Sequence, residues 1–93
     1  MIADFYCLET EKIFRGKIAA KFPSDIQNVA RRKLRMLHAA LNINDLRQPP
    51  GNHLEKLERD QDGQHSIRIN DQWRICFRWE AGSANRVEIS GYH

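Results

Sequence analysis

The apolar residues of this chain change their spacing once, at Pro49-Pro50-Gly51-Asn52, and the change separates a helical half from a stranded one. Before the break, Ile26, Ala30, Leu34, Leu37 and Leu41 recur at steps of three and four, with Val29 beside them. That spacing predicts one helix of about 17 residues carrying a single apolar stripe. Pro23 disfavours helix at Phe22, and Ser24 is a candidate N-cap. Gln27, three residues on, completes a capping-box pattern, and Asn42 is a candidate stop. Residues 10–21 predict one or two earlier helical turns around Ile13 and Phe14, interrupted at Gly16. Residues 45–47 predict a last turn before the prolines.

Beyond the break the period is two. Strands are predicted over residues 53–58, 64–70, 73–79 and 86–93, with turns at 59–63, 71–72 and 81–85. The opening residues 2–7 lean towards an extended segment. Helices followed by consecutive antiparallel strands predict an α+β class. With 93 residues, of which 41% are hydrophobic and 29% charged, the chain suits one globular domain over residues 1–93. No apolar run approaches the roughly 20 residues of a membrane span. The first residues show no cationic stretch leading into an apolar one, so no secretory leader is expected. Two cysteines, Cys7 and Cys76, are too few for a disulfide framework, which points to a reducing, cytoplasmic setting.

Charge is unevenly placed. Arg31, Arg32 and Arg35 fall off the apolar stripe and predict a basic, exposed helix face. That face either touches nucleic acid or only solubilises the helix. From Ser66 onward every cation is arginine, whose planar fork of donors suits phosphate. In the 73–79 strand, alternation sends Trp73, Ile75, Phe77 and Trp79 one way and Arg74, Cys76 and Arg78 the other. With Arg68 from the neighbouring strand, these arginines form either an RNA-binding face or an ordinary solvated one. Cys76 reads as a small filler between them. The four histidines match no compact ligand spacing, so no metal site is expected. The end of the chain, Gly91-Tyr92-His93, supplies an imidazole whose ordinary pKa suits proton transfer near neutrality.

Three stretches together carry a resemblance: Pro49-Pro-Gly-Asn-His-Leu-Glu, the run from Gly63 to Trp79 containing S-I-R-I-N-D-Q-W-R-I-C-F, and the terminal Tyr92-His93. They are similar to the HigB family of bacterial toxins, within the wider RelE/ParE superfamily. The resemblance implies a microbial-RNase-like fold with helices on a twisted antiparallel sheet. It further implies a metal-free, cofactor-free endoribonuclease that cuts mRNA on the ribosome, using the RNA's own 2′-hydroxyl as nucleophile. The implied partners are a helix-turn-helix antitoxin and, through it, operator DNA. Arg74 matches the family's transition-state arginine, and Tyr92 and His93 match its C-terminal pair. Arg68, Arg78, Lys56, Arg59, Arg31 and Arg35 are the candidate RNA contacts. Two positions depart from the family pattern: Glu58 stands where a lysine is usual, and Gly91 where an aspartate is usual. Both departures predict a weaker nuclease. They also motivate an alternative, a catalytically silent member that binds the antitoxin as co-repressor. A third reading, the gyrase-directed ParE branch, is opposed by the retained Tyr92 and His93.

Overall fold

A computed structural model describes residues 1–57 and 63–91. Helix α1 spans Leu8–Phe14 and α2 spans Ser24–Ala39. Two 3-10 turns follow, at Ile43–Arg47 and Pro50–Asn52. Strands β1 (Glu55–Lys56), β2 (Gln64–Arg68), β3 (Trp73–Glu80) and β4 (Ser83–Gly91) then form one antiparallel sheet in the order β1-β2-β3-β4. The architecture is the α+β arrangement that the change of period predicts. The opening segment runs beside β4 in parallel, bridging Ile2 to Ala84 and Phe5 to Val87.

One core joins the helices to one face of the sheet. Ile26, Ala30, Leu34 and Leu37 of α2 are buried together with Ile13, Ile67, Ile75, Phe77, Val87 and Ile89. The register places Ile67 opposite Ile75 and Ile75 opposite Ile89, so the apolar alternation of three strands falls on the helix side. Burying a side chain of this size stabilises by about 1.5–3 kcal/mol. These residues therefore fix which face of the sheet is free for chemistry.

Several expectations need correction. Helix α1 begins at Leu8 rather than at residue 10 and ends before Gly16, which has a positive φ of 86°. Gln27 does not cap α2. Its side chain instead accepts from the Ala19 amide at 3.1 Å and donates to the carbonyls of Ala19 and Phe22 at 2.8 and 2.9 Å, holding the preceding loop. The capping box lies further along, where Asn42 accepts from Asn44 and Asp45 accepts from the Asn42 amide. Leu41 is not on the buried stripe: α2 stops at Ala39, and Leu41 is 85% exposed.

The hairpin joining β3 to β4 turns at Ala81-Gly82, and β4 starts at Ser83 instead of Arg86. Its register with β3 shifts between Cys76 and Arg78, so β4 carries a bulge, with Arg86 at a positive φ of 54°. The turn expected at 59–63 lies outside the described residues except for Gly63. That glycine has φ 74°, and a Cβ there would stand 3.0 Å from the Trp79 carbonyl oxygen. Only glycine fits such an approach.

Candidate functional site

Arg74 lies at the centre of the sheet face turned away from the helices. Its cross-strand neighbours are Arg68 on β2 and Ser90 on β4. Alternation along β3 predicts a solvated arginine, but the side chain is only 5% exposed. Nε donates to Ser66 Oγ at 2.7 Å. Nη2 donates to the His53 carbonyl at 2.6 Å and to the Ser66 carbonyl at 3.2 Å. Nη1 stands 3.7 Å from Glu55 Oε1. Burial of a cation is costly unless its donors are met, and here two carbonyls and a hydroxyl meet Nε and Nη2, while Nη1 is left facing the Glu55 carboxylate. The guanidinium is thereby fixed in orientation, with its Nη1 edge towards Glu55.

The corner that supplies the His53 carbonyl is itself braced. His53 follows the Pro50–Asn52 turn and adopts a left-handed backbone at φ 44°. Asn52 is fully buried, donating to the carbonyls of Leu46 and Gln48 at 3.1 and 3.3 Å. Its Oδ1 accepts from Lys33 Nζ. Lys33 belongs to α2 and is 8% exposed. Burial pushes its ammonium pKa down, and repulsion from Arg32 and Arg68 pushes it further the same way.

Of the other predicted residues that are described, two share the Arg74 face and the rest lie elsewhere. Arg68 pairs with Asp71 beside Arg74. Arg78, opposite Gln64 and Asn85, has its Nε 3.8 Å from Glu80. Cys76 lies between them, its thiol pKa raised by burial and by Glu88 against the opposing pull of Arg74. A protonated, half-buried thiol is a filler, as the sequence suggests. Lys56 pairs with His65, whereas its neighbour Glu55 pairs with Ser66 on the Arg74 face, so Lys56 projects to the other side. Arg31 is a strut rather than a free helix cation, donating to the carbonyls of Ile13 and Lys17 at 2.8 and 3.3 Å. Arg35 is exposed on α2. Glu58, Arg59, Tyr92 and His93 lie outside the described residues.

Gly91 pairs with Trp73 at the start of β3, one residue from Arg74, and Tyr92-His93 follow it directly in the chain. A Cβ at position 91 would meet Cζ3 of Trp73 at 3.2 Å. An aspartate there therefore requires the indole to give way by a few tenths of an ångström. Ser66, Glu55, Asn52 and Lys33 were not singled out by the sequence. Lys33 had a signal: it stands three residues after Ala30 and four before Leu37, on the flank of the buried stripe.

Helices on one face of a four-stranded antiparallel sheet, with a fixed arginine on the other, are consistent with the RelE-like toxin class. Comparison with known proteins agrees, since the family described as RelE-like toxin of type II toxin-antitoxin system HigB matches residues 7–93. A protein of Vibrio cholerae named Toxin HigB-1 is 50% identical over 62 residues, covering 67% of this chain and 65% of the relative. An uncharacterized protein of Haemophilus influenzae is 44% identical over 74 residues, covering 80% of this chain and 73% of the relative. The chain belongs to the HigB-like toxins of type II toxin–antitoxin systems. Membership implies an antitoxin partner. Among the described residues, no helix is long and apolar enough to cross a membrane.

Proposed function

We propose that this toxin is a metal-independent endoribonuclease that cleaves mRNA on the ribosome. The observation that carries the reading is the Arg74 guanidinium, held by Ser66 and His53 on the sheet face one residue from the pair that leads into Tyr92-His93. In the reaction the 2′-oxygen bonds the adjacent phosphorus, and its proton passes to a base. The bond from phosphorus to the 5′-oxygen breaks as that oxygen takes a proton. The fragments then carry a 2′,3′-cyclic phosphate and a 5′-hydroxyl.

Arg74 stabilises the charge that develops on the phosphoryl oxygens, a preorganised contact worth about 2.7–4 kcal/mol when such a donor is removed. His93 moves the proton and Tyr92 orients or stacks the nucleotide. Arg68 and Arg78 lie on the same face for the flanking backbone, Arg35 on the exposed side of α2 is a more peripheral RNA contact, and Arg59 is a further candidate. The helix-turn-helix antitoxin neutralises the toxin in the cytoplasm, and the pair reaches operator DNA through the antitoxin.

A second reading has its own observation. Glu55 stands against the Arg74 edge that a phosphate would approach, and Glu58 stands where the family resemblance implies a lysine. The Glu55 carboxylate at that edge repels the substrate, which favours a weak nuclease or a silent, antitoxin-binding co-repressor. Primer extension on mRNA from a cell-free translation reaction separates the readings. New 5′-ends within translated codons, requiring both ribosomes and His93, support the nuclease. Their absence at high protein concentration, with the antitoxin still bound tightly, supports the co-repressor.

A further inference from the structure

The outer margin of β4 carries an aromatic and a cation that the cleavage site does not use. Tyr6 is 62% exposed, although its backbone is fixed by donation to the Val87 carbonyl at 3.0 Å. The Arg86 guanidinium lies over its ring, 5.1 Å from the centroid. That placement follows from the β4 bulge, where Arg86 takes the left-handed backbone normally left to glycine. The Asp4 carboxylate accepts from the Arg86 amide, and the Asp4 carbonyl accepts from Val87 at 3.2 Å, so the opening segment holds the bulge.

Tyr6 and Glu88 form the wall shared by two hollows. One, of about 260 Å3, is lined by Cys76, Arg78 and Arg86. The other, of about 590 Å3, contains Lys21, Phe22 and Trp73 and reaches Gly91. In the second hollow Trp73 stands edge-on to Phe22, with ring centroids 5.6 Å apart. Each hollow thus has a cation, and the wall between them carries an exposed phenol and a carboxylate.

We propose that Tyr6, backed by Arg86, is a stacking subsite for a nucleobase of single-stranded RNA, beside the cleavage face and distinct from Arg74. This inference rests on the reading of the chain as an RNA-cleaving toxin. A base offers a π-face to the phenol, and an arginine on the same ring strengthens the stack. Arg78 and Lys21 on either side attract the flanking phosphates. Glu88 repels phosphate and accepts the N–H groups of a base, so the base and not the backbone lies over the wall. A protein ligand has no comparable need for cations spaced on both sides of one exposed aromatic.

The test is binding of a short fluorescent single-stranded RNA by the full chain carrying His93→Ala, which suppresses cleavage, read by anisotropy. Tyr6→Ala should weaken binding roughly five- to hundred-fold, the loss a base–aromatic stack shows on alanine substitution. Tyr6→Phe should keep the affinity. Arg86→Gly, which retains the left-handed backbone, should weaken binding by less than Tyr6→Ala does, because it removes the support of the stack and leaves the ring. An abasic oligonucleotide of the same length should bind the parent and Tyr6→Ala alike.

Equal affinity of Tyr6→Ala and parent for RNA overturns the subsite, as does an equal loss on the abasic strand or no binding by the parent. A Tyr6→Ala variant that spares RNA and loses antitoxin affinity overturns it in favour of a protein contact. The nuclease reading is judged apart. Ribosome-dependent cleavage with Tyr6-independent RNA binding removes the subsite alone, and Tyr6-dependent binding without cleavage removes the nuclease alone.

Discussion

Phe77 and Arg74 stand three residues apart on β3, and both are buried, yet they are buried by different means. Phe77 faces the helices, where Leu34, Ile67 and Val87 are equally closed to water and contact is non-directional. Arg74 faces the other way and is enclosed by polar atoms: the Ser66 hydroxyl, the Ser66 and His53 carbonyls and the nearby Glu55. The apolar face tolerates approximate shapes, because its stabilisation scales with area. The arginine's surroundings are directional, so small displacements leave a buried donor unmet. The comparison teaches that the helix side of this sheet is built for stability and the other side for holding one cation still.

Two substitutions test that division most severely. Phe77→Ala should cost about 3–5 kcal/mol in urea unfolding, since it removes a wholly buried ring from a closed core. Cleavage per folded molecule should not change. Arg74→Lys should do the reverse. It keeps a charge but loses the forked donors, so ribosome-dependent cleavage should fall about 10²–10³-fold. The accompanying stability loss should stay within about 1–3 kcal/mol. A variant of either kind that lowers both quantities equally would erase the distinction between the two faces.

A smaller effect is expected at the corner that serves both sides. Asn52 ties Lys33 on the helix to the turn whose next residue supplies a carbonyl to Arg74. Asn52→Ala leaves the Leu46 and Gln48 carbonyls without that donor and the Lys33 ammonium without its acceptor. The expected cost is about 1–3 kcal/mol in urea unfolding. Cleavage per folded molecule should also fall, by less than for Arg74→Lys, because the His53 carbonyl is displaced rather than the guanidinium removed. Unchanged cleavage in a destabilised Asn52→Ala protein would confine this corner to the stability side of the comparison.

The same contrast explains what the sequence could reveal. The stripe from Ile26 to Leu37 and the alternation through Ile75 and Phe77 were legible because apolar burial leaves a periodic trace. Leu41 continued the spacing but not the helix, which ended two residues earlier. Gln27 fitted a cap pattern, yet its amide met the loop at Ala19 and Phe22 instead. The β4 bulge left a readable trace, a step of three from Ala84 to Val87 followed by a step of two to Ile89. Alternation put Arg74 on the correct face but predicted it solvated, because its burial depends on a hydroxyl and on a carbonyl from another turn. The roles of Tyr92 and His93 rest on family resemblance, because two terminal residues have no periodicity to read.

The smallest expected effect concerns Lys33, the charged group on the wrong side of this division. Lys33→Met removes a buried cation and also leaves Asn52 Oδ1 without its donor, and these opposing terms should nearly cancel near neutral pH. Titration separates them. Burial lowers the Lys33 pKa in the folded protein, so below that value the ammonium is charged in both states and its burial cost is fully present. As pH rises through the folded pKa, the folded protein releases its proton while the unfolded chain keeps it. The unfolded state then binds more protons, and stability rises with pH until the unfolded pKa is reached. Urea midpoints of the parent should therefore gain on those of Lys33→Met as the solution is made alkaline. A parallel response of the two proteins would mean that this lysine titrates as a solvated one, and that the helix side of the corner carries no buried charge.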